Sequence, residues 1–265
     1  MDAQPKSGLS RHHFLLRRLH SLSGIVPIGV FLIAHLVTNS SILWGGFALR
    51  HEAEPGAGLI ERGEAYFQHE VTWINTQVPH LMLIEVTLWV SIAFHAILGV
   101  YYARSGKANT SAYKYQGNVR YTLQRATGYI AILYIFYHVA TLRWGWTWLT
   151  PSGVAWTHED ASRTLALALR GSVDGIALGG IAVTLFYFVG ITASVYHFAN
   201  GLWTSAITWG LTVSTGAMRR WGMACVAIGA GLMLMAWGSL LGFLLVDPGE
   251  SHNGPAIQQT EVQHP

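Results

Sequence analysis

Four histidines stand inside long apolar runs of this sequence: His35, His95, His138 and His197. An ionisable side chain in such surroundings is costly and usually functional, and one in each of four successive runs is hard to attribute to packing. Neutral imidazole does two kinds of chemistry there: it ligates a transition metal or haem iron, or it relays protons. The plainer reading of any single one is a polar residue bonded to a neighbouring helix. His197 shows the setting. From Gly175 to Met218 there is no Asp, Glu, Lys or Arg. At helical spacing Gly190, Ala193, His197 and Gly201 share one face, a trough of small side chains where something flat can approach the backbone.

The runs that carry these residues read as membrane spans. The 265 residues are 51% hydrophobic and 11% charged and include 11 tryptophans, whereas a soluble protein averages about 25% charged. The net charge of +3 is small, and nothing points to nucleic acid. The expected fold is an all-α integral membrane protein, a five-helix bundle with spans at about 21–46, 80–103, 124–148, 178–203 and 219–246, each near the roughly 20 residues that cross a bilayer. A basic lead occupies 1–20 and a polar tail 247–265. Pro27 predicts a kink in the first span. The uncharged run Leu19–Leu49 far exceeds the roughly 7–15 residues of a signal-peptide core, so it stays as a span. Loop 47–79 is polar, with a short surface helix in its second half, and 149–175 reads as a mixed loop. A single cysteine, Cys225, allows neither an internal disulfide nor a covalent c-type haem motif.

Charge placement orients the spans. With the N-terminus in the cytoplasm, Lys6, Arg11, Arg17, Arg18, Arg104, Lys107, Lys114, Arg120, Arg125, Arg219 and Arg220 lie inside, leaving Arg50, Arg62, Arg143, Arg163 and Arg170 outside. The C-terminus is then outside. His35 and His138 follow the inner ends of their spans by about 13 to 15 residues, roughly 20 Å. His95 and His197 precede theirs by about 6 to 8 residues, roughly 10 Å. One pair thus lies near the inner face and one toward the outer. Two b haems enclosed by the first four helices fit this pattern, with His95 and His197 on the inner iron and His35 and His138 on the outer. Zinc or copper would gather its ligands at one depth, with carboxylate or thiolate company. A proton relay would not require the pairing. His80, after Pro79 at the start of the second span, competes with His95 and reads as interfacial. His12, His13, His51, His69, His158, His252 and His264 lie in polar segments and read as solvated.

Haem propionates are anionic and need donors near the membrane surface. His20, Ser21, Tyr121 and Arg125 stand at the inner level, Arg143 and Arg163 at the outer. The alternative for each arginine is to anchor a helix end at lipid headgroups. Quinone chemistry needs a protonatable group beside the outer haem. Glu61, Glu64 and Glu70 in the first outer loop, and Glu85 one turn inside the second span, are the candidates; the plainer readings are solvated carboxylates and, for Glu85, a pair with an outer arginine.

The plan of five spans, the lead Arg17-Arg18-Leu19-His20-Ser21-Leu22-Ser23-Gly24, the segment Phe31-Leu32-Ile33-Ala34-His35, and the run His197-Phe198-Ala199-Asn200-Gly201-Leu202-Trp203-Thr204 with Trp209-Gly210 resemble one family. It is the dihaem cytochrome b (b558-type) anchor subunit of succinate dehydrogenase and fumarate reductase, and the likeness covers nearly all of residues 10–246. The resemblance implies flavoprotein and iron–sulfur partners on the cytoplasmic side of the cell membrane. It also implies a respiratory role in which those partners oxidise succinate, a tricarboxylic acid cycle step, and this chain passes electrons to a membrane quinone, usually menaquinone. Some dihaem fumarate reductases carry a glutamate two residues before the ligand on the fourth span; Val195 stands there in this chain, which favours the succinate dehydrogenase type. Two other readings stay open: a dihaem subunit of a formate dehydrogenase or hydrogenase, and a cofactor-free proton-coupled transporter, against which the absence of repeated halves argues.

Overall fold

A computed structural model describes residues 12–49, 56–105 and 116–249. The lead before His12, the tail after Gly249, and Arg50, His51, Lys107 and Lys114 lie outside the described residues. What is described is helical, without a strand. We number the helices α1 (His13–Ile25), α2 (Pro27–Ala48), α3 (Leu59–Gln77), α4 (Leu81–Ser105), α5 (Gln116–Leu142), α6 (Ala161–Arg170), α7 (Leu178–Thr208) and α8 (Thr215–Leu245). Four stretches are long and apolar enough to cross a membrane: His13–Ala48, which joins α1 to α2, and helices α4, α7 and α8. The chain is therefore a multi-pass membrane bundle. Helix α5, at 27 residues, has the length of a span, but Arg120, Gln124 and Arg125 make its first turns polar.

Pro27 breaks the first span where expected. Its ring occupies the first position of α2 and removes an N–H, so the helix is interrupted at Val26. The helix nonetheless reaches back to His13, taking in residues 13–20 of what the charge pattern marks as a lead. The third span ends earlier than the expected 148. Helix α5 stops at Leu142, and Gly145, at φ +67, turns the chain into a short 3-10 helix over Thr147–Leu149. The last span begins at Thr215 because the Ser214 hydroxyl accepts from the Ala217 N–H and caps it.

Helices α1/α2, α4, α5 and α7 surround the histidines, while α8 packs outside against α2 and α7. Helix α3, the surface helix of the loop between the first two spans, lies along α2 so closely that a Cβ on Gly63 would run into the Ile42 carbonyl. Helix α6 lies in the loop read as mixed and is almost wholly buried from Ala161 to Leu169. Two of its polar residues bond locally, Thr164 Oγ1 donating to the Asp160 carbonyl at 2.6 Å and Arg170 Nε to the Gly175 carbonyl at 3.3 Å, while Arg170 also reaches the Val246 carbonyl at 2.8 Å. Ile42, Phe67, Tyr134, Tyr187, Leu169 and Phe243 form the main core at this end of the bundle.

Candidate functional site

Four helices bring the four histidines together two by two. The His95 ring on α4 faces the His197 ring on α7, with centroids 6.0 Å apart and planes at 86°. The His35 ring on α2 faces His138 on α5 at 5.8 Å and 85°. Ordinary edge-to-face ring packing spans about 4.5–7 Å, so the distances alone do not decide. One imidazole from each helix of a pair would also suit a haem iron held between them.

The ring nitrogens carry more information. His95 Nδ1 donates to the His20 carbonyl at 2.9 Å, and His197 Nδ1 donates to the Gln124 carbonyl at 3.0 Å. A carbonyl only accepts, so both protons are on Nδ1 and both Nε2 lone pairs point away from the backbone, the tautomer a metal-ligating histidine needs. Each acceptor helix is cut away to admit the ring. A Cβ on Gly24 would stand 2.5 Å from His95 Cε1, and one on Gly128 would stand 2.9 Å from His197 Cε1. The outer pair is held differently. His35 has only the Asn39 amide at 3.4 Å from either ring nitrogen, and His138 Nδ1 is buried without a partner.

A haem fits these residues. Among the described residues no group of three or more His, Cys, Asp or Glu is gathered for a bare metal ion. Two donors per pair is what an iron with its own four-nitrogen macrocycle requires. At the His95–His197 end Arg18 Nε and the Tyr102 hydroxyl are buried without partners, donors suited to an anionic group, and His20 Nδ1 is buried beside them, also without a partner. Of the donors expected there, Ser21 is already committed, donating to the Arg18 carbonyl at 3.0 Å and accepting from Trp209 Nε1 at 2.8 Å. Arg125 donates to the Tyr102 carbonyl at 3.2 Å and lies 4.0 Å over the Tyr121 ring. At the outer end Arg143 forks onto Glu85 at 2.9 and 2.8 Å. Arg163 holds Asp160 at 2.9 Å and the Pro248 carbonyl at 2.6 Å.

A cleft of about 310 Å³ opens between α2 and α3, lined by Thr38, Tyr66, His69, Glu70, Trp73 and Ile74. Thr38 follows His35 by one turn, so the cleft adjoins the outer pair. Glu70 Oε2 is buried there with no hydrogen-bond partner. Burial pushes the carboxyl above its ordinary range, opposed more weakly by the Ser41 hydroxyl and His69. The other carboxylates have duties elsewhere: Glu61 accepts from the Gly58 N–H at 3.1 Å at the start of α3, and Glu85 is held by Arg143. Glu64 does not line the cleft. His69, expected to be merely solvated, is exposed but forms part of its wall. His80 sits at φ +58 at the head of α4, its carbonyl accepting from Leu83 and Ile84, away from both pairs.

Over 207 residues, 78% of this chain and 85% of the relative, the sequence is 31% identical to the succinate dehydrogenase cytochrome b558 subunit of Bacillus subtilis (strain 168). The chain belongs to the succinate dehydrogenase cytochrome b558 subunit family. No family model matches it, and neither does any solved structure. For a cytochrome b558 subunit the geometry above has a direct sense: a cytochrome b needs histidines paired across helices, and this bundle pairs them at two depths. What spacing alone missed is Gln124, Gly24 and Gly128, whose signal is visible only once α1 and α5 are known to pass the ligand rings.

Proposed function

We propose that this chain is the membrane anchor and electron-transfer subunit of a succinate dehydrogenase, passing electrons from an iron–sulfur partner to a membrane quinone through two b haems. The observation that carries the reading is the pairing of four intramembrane imidazoles, two and two, at ring separations of 6.0 and 5.8 Å. In this reading His95 and His197 hold the inner iron and His35 and His138 the outer, with the flavoprotein and iron–sulfur subunits on the cytoplasmic face. When bound, each haem supplies a one-electron ferric/ferrous couple. The His20 and Gln124 carbonyls hold the inner ligands with the proton on Nδ1, while Arg18 and Tyr102 present donors to carboxylates at the inner face. The bundle has five spans, α5 being the third, with the N-terminus inside. The excess of Lys and Arg at the ends assigned to the cytoplasm supports that orientation.

The quinone, menaquinone by family resemblance, is placed in the cleft between α2 and α3. Its volume lies at the lower end of the range of about 300–1,000 Å³ that small-molecule sites occupy. Tyr66 and Trp73 offer flat walls, and Glu70 offers a proton held at higher pH than usual.

The test is haem b per assembled complex by pyridine haemochrome, together with haem reduction by succinate. Two haems, both reduced by succinate, are expected. His95→Ala should lose the inner haem and keep the outer, and His35→Ala the reverse. Two haems retained in either variant would sink the pairing, and reduction by formate or hydrogen instead of succinate would reassign the partners.

A further inference from the structure

The four-ligand reading leaves a fifth histidine unexplained. His20 on α1 lies inside the bundle with its ring stacked on His95, centroids 4.0 Å apart and planes 15° from parallel. Its carbonyl is the acceptor for His95 Nδ1, and Ser23 Oγ stands 3.4 Å from the same nitrogen. It does not face His197 as His95 does; it backs the His95 ring from behind, and Tyr102 meets its own ring edge-on at 5.7 Å.

The same device appears on the other side of the inner pair. In an α-helix the carbonyl of residue i points toward the N–H of residue i+4. An imidazole that seeks the second lone pair of that carbonyl must therefore pass beside residue i+4. On α1 the two positions are His20 and Gly24; on α5 they are Gln124 and Gly128, and in both the glycine is the point where a Cβ would strike the ring. The side chain at position i then braces its ligand. The Gln124 amide donates to the His197 carbonyl at 3.1 Å and accepts from the Asn200 amide at 2.7 Å, while His20 braces through ring stacking. The outer pair lacks such a cradle among the described residues: the His35 ring meets the Asn39 amide of its own helix, 3.4 Å from either ring nitrogen.

We propose that His20 is the positioning residue of the inner site, its ring fixing the plane of the His95 imidazole against α1 as Gln124 fixes His197 against α5. Backbone bonding alone sets the tautomer but lets a ring pivot about the bonded nitrogen; a parallel ring at van der Waals distance removes that freedom. The inference rests on His95 and His197 being the inner ligands.

The experiment uses the assembled complex carrying His20→Phe or His20→Leu. Haem b per complex is counted, and the low-spin ferric signals of the two haems are recorded by electron paramagnetic resonance. Phe keeps a flat ring without nitrogens; Leu removes the ring. The expected result is that His20→Phe retains two haems with unshifted signals. His20→Leu either shifts and broadens the inner-haem signal alone or loses that haem, the outer signal staying in place. Unchanged signals in His20→Leu would overturn the proposal. Equal shifts, or loss of the inner haem, in both variants would also overturn it, since the ring nitrogens and not the stack would then matter. A wild-type complex without two haems would instead refute the four-ligand reading itself.

Discussion

A cofactor site built from four identical side chains depends on what each ring is bonded to. The inner imidazoles are oriented by carbonyls of neighbouring helices at 2.9 and 3.0 Å and enter through gaps that only glycine leaves. Gly24→Ala puts a methyl group 2.5 Å from His95 Cε1, and Gly128→Ala puts one 2.9 Å from His197 Cε1. Overpacking of this kind costs about 1–3 kcal/mol, and the ring must tilt away from its acceptor. Each substitution should lower haem b per complex from two toward one, the outer haem surviving, as haemochrome analysis and the separate spectral signals would show. Unaltered content in both would mean that the helices part without disturbing the ligands. At this scale the histidines were legible because an imidazole in an uncharged run stands out, and depth along each span sorted them into the pairs whose rings face each other. The glycines were not legible: a glycine in an apolar helix has many uses, and its purpose here is set by a ring that arrives from another helix about 70 residues away.

Among the elements, α3 is what turns a bundle of spans into one with a side entrance. It was foreseeable as a surface helix from its polar face, but its docking against α2 depends on close backbone contact, which has no periodic signature. The same limit hid α6, whose short buried run carries polar residues that bond within the helix and its flanking loop. Docking α3 places Glu70 in the cleft and separates it from the carboxylates that equal it in sequence. In the proposed quinone reduction the carboxyl would act as a proton donor, and its raised range keeps it protonated to higher pH than an ordinary glutamate. The rate should therefore hold at low pH and fall as pH rises through that raised value. Glu70→Gln should remove this dependence and slow quinone reduction by about 10²-fold or more, the usual contribution of a positioned acid or base, while succinate still reduces the haems. Steady-state quinone reductase activity against pH, beside haem reduction, checks both. Glu85 offers the contrast. Its pair with Arg143 is 30% and 63% exposed on the two side chains, a setting in which such pairs contribute about 0.2–1 kcal/mol. Glu85→Gln should leave haem content and quinone reduction intact and lower the melting temperature of the complex only slightly.

For the whole molecule, the proposed function makes the two histidine pairs a conductor across part of the bilayer. Tryptophans mark both faces, as interfacial anchors do. Trp144, Trp146 and Trp148 stack in series at one end, with Trp89 against Trp144, while Trp203 and Trp209 lie at the other beside Arg120 and Arg18. Between the pairs there is no carboxylate to carry a compensating proton: Glu85 is the one acidic residue in α1, α2, α4, α5, α7 and α8, Arg143 holds it, and buried Val195 stands two residues before His197. In the proposed orientation, electrons that enter inside and meet quinone near the outer face would carry negative charge outward, and the protons they need would be taken from the outer side. In a membrane that is negative inside, this direction runs down the potential, each electron gaining at most about 2.3 kcal/mol per 100 mV for a full crossing. Collapsing the potential in sealed vesicles of inward-facing orientation matched to the cell should slow quinone reduction by succinate, and imposing it should speed the reaction. The reverse reaction should respond with the opposite sign. Rates indifferent to potential would place the quinone on the same side as the iron–sulfur partner, and with it the cleft between α2 and α3 would lose its assigned role.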